Sequence, residues 1–169
     1  MAQTYAEERY SPDIPLCGRA SISLTFDGKW LKGLGKKSAI MLPAVSGKPN
    51  EKNQFDYSTE RQSVAYKGPI PEGEYWIQPD QLWENSSLKS GLGITPRAAW
   101  GNYRITIHPY PSTKTYNRGG FFIHGGQVPS SAGCIDLTQH MDRFVKELKK
   151  ELEGLPKCYI QLTVRYPKR

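Results

Sequence analysis

Amphipathic helical periodicity is scarce ahead of residue 137, and this constrains the fold of the chain more than any other feature. Before that point, short alternating runs are broken every few positions by turn-forming residues. Sixteen glycines, thirteen prolines and ten tyrosines in 169 residues favour a β-rich domain with many turns. A hydrophobic share of 37% at this length is enough for one buried core. The expected fold class is therefore mainly β, with one α-helix in the C-terminal half.

The pattern predicts an irregular, polar arm over residues 1–19 and a single domain over 20–169. Ile22, Leu24 and Phe26 alternate, Asp27-Gly28 supplies a turn, and Trp30 and Leu31 begin a return strand. Ala39 to Val45 and Ser63 to Tyr66 are strand candidates around a polar, loop-like stretch at 46–61. Gly68-Pro69-Ile70-Pro71-Glu72-Gly73 reads as a rigid turn that feeds a strand through Ile77. Residues 79–100 read as a long surface loop, a length associated with lids. Tyr103 to His108 alternates well, and Gly120 to His124 is a short central strand. Met141, Phe144, Val145, Leu148 and Leu152 then share one helical face, capped by Thr138 or Asp136 and stopped by Gly154 and Pro156. Residues 158–166 form a last strand.

Twenty-three basic against sixteen acidic residues give a net charge of +7, which favours anionic partners. The basic residues are dispersed. Lys146, Lys149 and Lys150 alternate with Glu147, Glu151 and Glu153, a pattern expected of a solvated helix face with i,i+4 ion pairs. No nucleic-acid-binding motif accompanies them. No apolar run approaches the length of a membrane span, and the N-terminus shows no secretory h-region. Three cysteines leave at least one unpaired; a Cys17–Cys158 pair is possible in an oxidising space.

The chemistry concentrates between Phe121 and Leu137. An apolar strand delivers His124 to its end, where Gly125-Gly126 permits a sharp turn. Ten positions on, Gly133-Cys134 stands just ahead of the expected helix start. A thiol at a helix N-terminus feels the positive end of the macrodipole, and a nearby imidazole can take its proton. Backbone N–H groups at Gly133 and Cys134 offer an oxyanion site. A metal site from His124, Cys134 and His140 lacks a fourth ligand, so neither metal nor cofactor is expected.

The run Ile123-His124-Gly125 with Ser131-Ala132-Gly133-Cys134-Ile135 resembles the active-site signature of the L,D-transpeptidase (YkuD-like) catalytic domain family. Gly68 to Tyr75 is similar to an upstream element of that fold. With Ser46-Gly47-Lys48-Pro49-Asn50 and Trp100-Gly101-Asn102-Tyr103-Arg104, the match points to L,D-transpeptidase-like toxins injected by type VI secretion systems. The resemblance implies a β-sandwich, Cys134 as nucleophile and His124 as base. It also implies that the Gly125 carbonyl orients the imidazole and that Ser131 and Gly133 shape the oxyanion loop.

Two departures stand out. The His-to-Cys interval is short, implying a trimmed loop and a more open cleft. Asp136 stands where many members have Arg or Asn. Candidate substrate contacts are Arg104 and Arg118, with Gly126 and Asp136 beside them; Arg97 is a further candidate grip for stem-peptide carboxylates. The implied activity is L,D-carboxypeptidase or L,D-transpeptidase action on peptidoglycan tetrapeptide stems, through a Cys134 thioester. The implied partners are the stem peptides, a cognate immunity protein and the type VI apparatus, with action in a target cell's periplasm. A sortase-like or other cysteine peptidase and a non-catalytic cell-wall-binding module are the competing readings. Sortases need a longer His-to-Cys gap and a following strand-borne Arg, and papain-like enzymes place Cys first.

Overall fold

The computed structural model describes residues 19–84, 101–153 and 158–167. Ten strands and two α-helices occur among them. The strands are β1 (Arg19–Phe26), β2 (Trp30–Leu34), β3 (Ala39–Pro43), β4 (Val45–Ser46), β5 (Gly73–Ile77), β6 (Trp83–Glu84), β7 (Tyr103–Pro109), β8 (Phe122–His124), β9 (Ile135–Asp136) and β10 (Tyr159–Val164). The helices are α1 (Thr59–Gln62) and α2 (Met141–Leu152). The mainly β class with one long helix is what the composition predicts.

The strands join in the order β3-β2-β1-β10-β5-β7-β8-β9-β4, with β6 also on β7. Strand β7 turns the corner between the two halves of this sheet. Its Ile107–Pro109 end pairs with β5, and its Tyr103–Thr106 end pairs with β6 and β8. A strand shared in this way lets two twisted layers enclose one core. Ile22, Leu24, Phe26, Ile77, Ile160 and Leu162 from one half meet Ile105, Ile123 and Ile135 from the other.

Helix α2 closes the core with Met141, Phe144, Val145 and Leu148, as its periodicity predicts. The expected charged face is different. Glu147 and Glu151 are buried, and Glu151 accepts N–H groups of Lys36, Lys37 and Ser38 at the β2–β3 turn. Glu151 thus docks the helix, whereas Glu147 makes an i,i+4 ion pair with Arg143 (3.2 Å).

Four local expectations also change. Ser63–Tyr66 is not a strand but the turn after α1, with Tyr66 in left-handed backbone. Within the expected 79–100 loop, Pro79–Gln81 forms a 3-10 turn and Trp83–Glu84 forms β6; residues 85–100 lie outside the described residues. The helix does not follow Cys134 directly. A two-residue strand and a 3-10 turn (Thr138–His140) intervene, so the macrodipole, which fades within a turn, does not reach the thiol. Asp136, one residue before the N-cap Leu137 of that 3-10 turn, accepts the Thr138 N–H (2.8 Å), while neither Asp136 nor Thr138 caps α2, whose N-cap is His140 with no side-chain bond. Most of the arm, Cys17, Arg97 and the expected helix stops Gly154 and Pro156 lie outside the described residues. No helix among the described residues is long and apolar enough to cross a membrane.

Candidate active site

Strand register assembles the site. Arg104 stands opposite His124 across the β7–β8 pair, and His124 stands beside Asp136 across the parallel β8–β9 pair. Side chains alternate along a strand, so these three share one face of the sheet. The neighbouring positions Ile105, Ile123 and Ile135 point the other way, and each is 0% exposed in the core. Cys134 lies in the bend just before β9, one residue ahead of Ile135. The β8–β9 register therefore brings the chain just after Cys134 alongside the strand of His124, although the two residues stand ten positions apart in the sequence.

The imidazole is held from behind. His124 Nδ1 lies 2.6 Å from the Gly125 carbonyl and 4.0 Å from Asp136 Oδ1. An Nδ1–H donated to that carbonyl leaves Nε2 as the basic nitrogen of the neutral ring. Burial lowers the His124 pKa; the Gly125 carbonyl opposes this and the Arg104 charge adds to it. His124 is thus a neutral imidazole at pH 7.

The thiol is buried, with Cys134 6% exposed and Sγ 3.8 Å from the Gly120 carbonyl. Burial pushes its pKa up to about 12. The Phe122 backbone and the charges of Arg104 and Arg118 pull it down, and Asp136 pushes it up. The resting pair is thiol and imidazole, not thiolate and imidazolium. The more open cleft expected from the short His-to-Cys interval is not what the fold presents, because His124 is also only 3% exposed. The 125–133 loop folds back over its own strands: Ser131 N–H donates to the Gly47 carbonyl, and Ser130 N–H to Asp136.

Ser131 staples that loop. Its hydroxyl donates to the Cys134 carbonyl (2.8 Å) and accepts from Gly47 N–H (3.1 Å) and Gly133 N–H (3.4 Å). Gly133 adopts φ +124°, and a side chain there would meet the Arg118 guanidinium. Gly126 (φ +138°) makes the turn beyond His124. Arg104 is half-buried, with its guanidinium 5.0 Å from the Trp83 ring and 4.9 Å from the Phe122 ring.

Arg118 departs from its expected place at a strand end where it would grip substrate. It is 6% exposed and donates to the carbonyls of Gln62, Gly68, Pro69 and Ala132. These bonds occupy both terminal nitrogens. Asp136 is 0% exposed and accepts N–H groups from Ser130 and Thr138, so it too is a framework group.

Ser46 and Gly47 belong to the site, yet the pattern alone assigned them no role. Ser46 Oγ donates to the Gly133 carbonyl (3.4 Å) and accepts from Ile70 N–H (2.8 Å), joining β4 to the nucleophile loop and to the Gly68–Gly73 turn. Gly47 adopts φ +83° against the Lys67–Pro69 backbone, where no side chain fits. The signal available beforehand was the Ser46-Gly47 pair itself, a small residue and a turn residue after an apolar run.

The Tlde1 domain model matches residues 41–160, which include every strand and loop of this site. The chain belongs to the Tlde1 domain family. Among solved structures, it is similar to an L,D-transpeptidase from Mycobacterium smegmatis, at 16% identity and a TM-score of 0.41. That likeness covers 86% of this chain, and this chain spans 59% of that one. No curated protein matches the chain.

Proposed function

We propose that this Tlde1 domain is a cysteine L,D-carboxypeptidase and transpeptidase that removes the terminal D-alanine from peptidoglycan tetrapeptide stems. The observation that carries the reading is the register that sets His124 beside the strand that directly follows Cys134, with Nδ1 tied to the Gly125 carbonyl. Sγ attacks the carbonyl carbon of the bond between the third stem residue and D-alanine, and its proton passes to His124 Nε2. The C–N bond of the tetrahedral intermediate breaks, and the same proton leaves on the D-alanine amine. A thioester remains on Cys134. Water then releases a tripeptide, a free D-amino acid replaces the lost residue, or a neighbouring stem amine forms a 3–3 crosslink.

Because both groups rest neutral, proton transfer accompanies attack instead of preceding it. The backbone around Gly133 and Cys134, fixed by Ser131, is where the developing oxyanion would be held. Arg104 is the candidate grip for stem carboxylates, with Gly126 giving close backbone approach. We further propose delivery by a type VI apparatus into a competitor's periplasm, and a cognate immunity protein in the producer.

The test is mass spectrometry of tetrapeptide stems incubated with the folded protein, beside Cys134→Ala and His124→Ala. Loss of 71 Da per stem by the wild type alone (about one alanine residue, on the order of a peptide-bond hydrolysis) is expected. Unchanged stems, or equal turnover by the variants, would reject the reaction. One observation favours a second reading, a wall-binding module without catalysis: the sulfur is nearly closed to solvent. That reading predicts sluggish alkylation of Cys134 by iodoacetamide even with stem peptide bound, whereas a nucleophile is alkylated selectively.

A further inference from the structure

Arg118 reaches its position at a cost. Two consecutive non-glycine residues, Tyr116 (φ 56°) and Asn117 (φ 59°), adopt left-handed backbone to deliver it. Such conformations are unfavourable for a residue like Tyr. The guanidinium is then buried, and among the described residues no carboxylate lies within ion-pair distance of it. Its four hydrogen-bond partners are neutral carbonyls. Tyr75 and Tyr166, which with Cys134 are the titratable groups that act on it, donate to the Pro71 and Ile70 carbonyls, and burial keeps both phenols neutral. A buried charge with no counter-ion is costly, and hydrogen bonds to dipoles cancel only part of that cost.

The charge lies against the nucleophile loop. Nη2 is 3.3 Å from the Ala132 carbonyl, and a side chain on Gly133 would collide with Nη2. We propose that Arg118 is a positioning residue for the reaction of Cys134, acting through its fork and its unneutralised charge. The fork ties the Gln62–Pro69 segment to the Ala132–Gly133 backbone, and the charge stabilises negative charge on the Cys134 sulfur and on the oxyanion that follows. This deepens the proposed function and rests on it for the oxyanion. Its effect on the sulfur is open to a test that needs no substrate.

The test is peptide-resolved alkylation of Cys134 by iodoacetamide at pH 8.5, where the rate follows the thiolate fraction. Wild type is compared with Arg118→Lys and Arg118→Met, each confirmed folded by thermal melting; Arg118→Gln replaces the Met variant if that does not fold. Loss of the charge is expected to slow alkylation about tenfold, equivalent to one pKa unit, with the Lys variant within about twofold of wild type. A purely structural role predicts the opposite sign, since a loosened loop exposes the sulfur and speeds the reaction. Faster or unchanged alkylation of the neutral variant overturns the proposal. With stem peptide, kcat is expected to fall by at least about tenfold at unchanged KM. A raised KM at unchanged kcat would make Arg118 a substrate grip and overturn it as well. If the wild type has no turnover, the proposed activity fails while the alkylation result still decides the role of Arg118 toward Cys134.

Discussion

At the scale of single residues, the site is a set of buried groups whose protonation is fixed by position. His124 must be neutral to accept the Cys134 proton, and burial holds its pKa below 6.5. The thiol, pushed up to about 12, adds no alkaline limb in the working range. The expected kcat/KM profile on stem peptide is flat from about pH 7 to 9 and falls only below about 6.5. A bell with an alkaline limb near pH 8 would indicate a thiolate–imidazolium pair instead.

Asp136 titrates in the opposite sense. Burial lifts it to about 6 against the pull of the Thr138 and Ser130 N–H groups. A raised carboxyl favours the folded state fully below its ordinary value of 3.8, and that contribution is lost as pH rises through about 6. Two pKa units correspond to roughly 3 kcal/mol. Relative to wild type, Asp136→Asn is therefore expected to gain on the order of 2 kcal/mol between pH 4 and 7, read from paired thermal melts. A constant difference across that range would contradict the shift.

Elements explain which parts of this arrangement could be read in advance. The alternation of Tyr103–His108 and the face of Met141–Leu148 are periodic, so strand, helix and core side were legible. The His124 and Cys134 segment was legible because glycines mark where the backbone must turn. Arg118 and Glu151 were not, because their partners are backbone groups 49 or more residues away in most cases and carry no side-chain signature. Nor was the gap between Cys134 and α2, since a two-residue strand has no period to detect.

Glu151 illustrates what such a contact does. It closes the β2–β3 turn onto α2 by accepting three N–H groups and the Ser38 hydroxyl. Burial raises its pKa and the four donors lower it further, to a net depression. A depressed carboxyl contributes stability above its ordinary value of 4.5 that is lost as pH falls through the lowered one. Glu151→Gln is expected to melt several degrees lower at pH 7, for a loss of about 1–3 kcal/mol. The gap should narrow below pH 4. A gap that widens in acid would contradict the sign.

For the whole molecule, the net charge of +7 understates how basic the surface is. Asp136, Glu147 and Glu151 are buried, whereas Lys146, Lys149 and Lys150 are exposed. Dispersed exposed cations attract an anionic polymer without selecting one group on it, and salt screens that attraction within about 8–10 Å at physiological ionic strength. The reaction centre is buried, and its charges are screened much less. Affinity for isolated cell-wall sacculi is therefore expected to fall about tenfold between 50 and 300 mM salt, while kcat on a soluble stem peptide stays within about twofold. Pelleting assays and single-substrate kinetics read the two separately. If kcat fell in step with affinity, the groups that position the nucleophile would have to be open to solvent ions, which the burial of His124, Cys134 and Arg118 argues against.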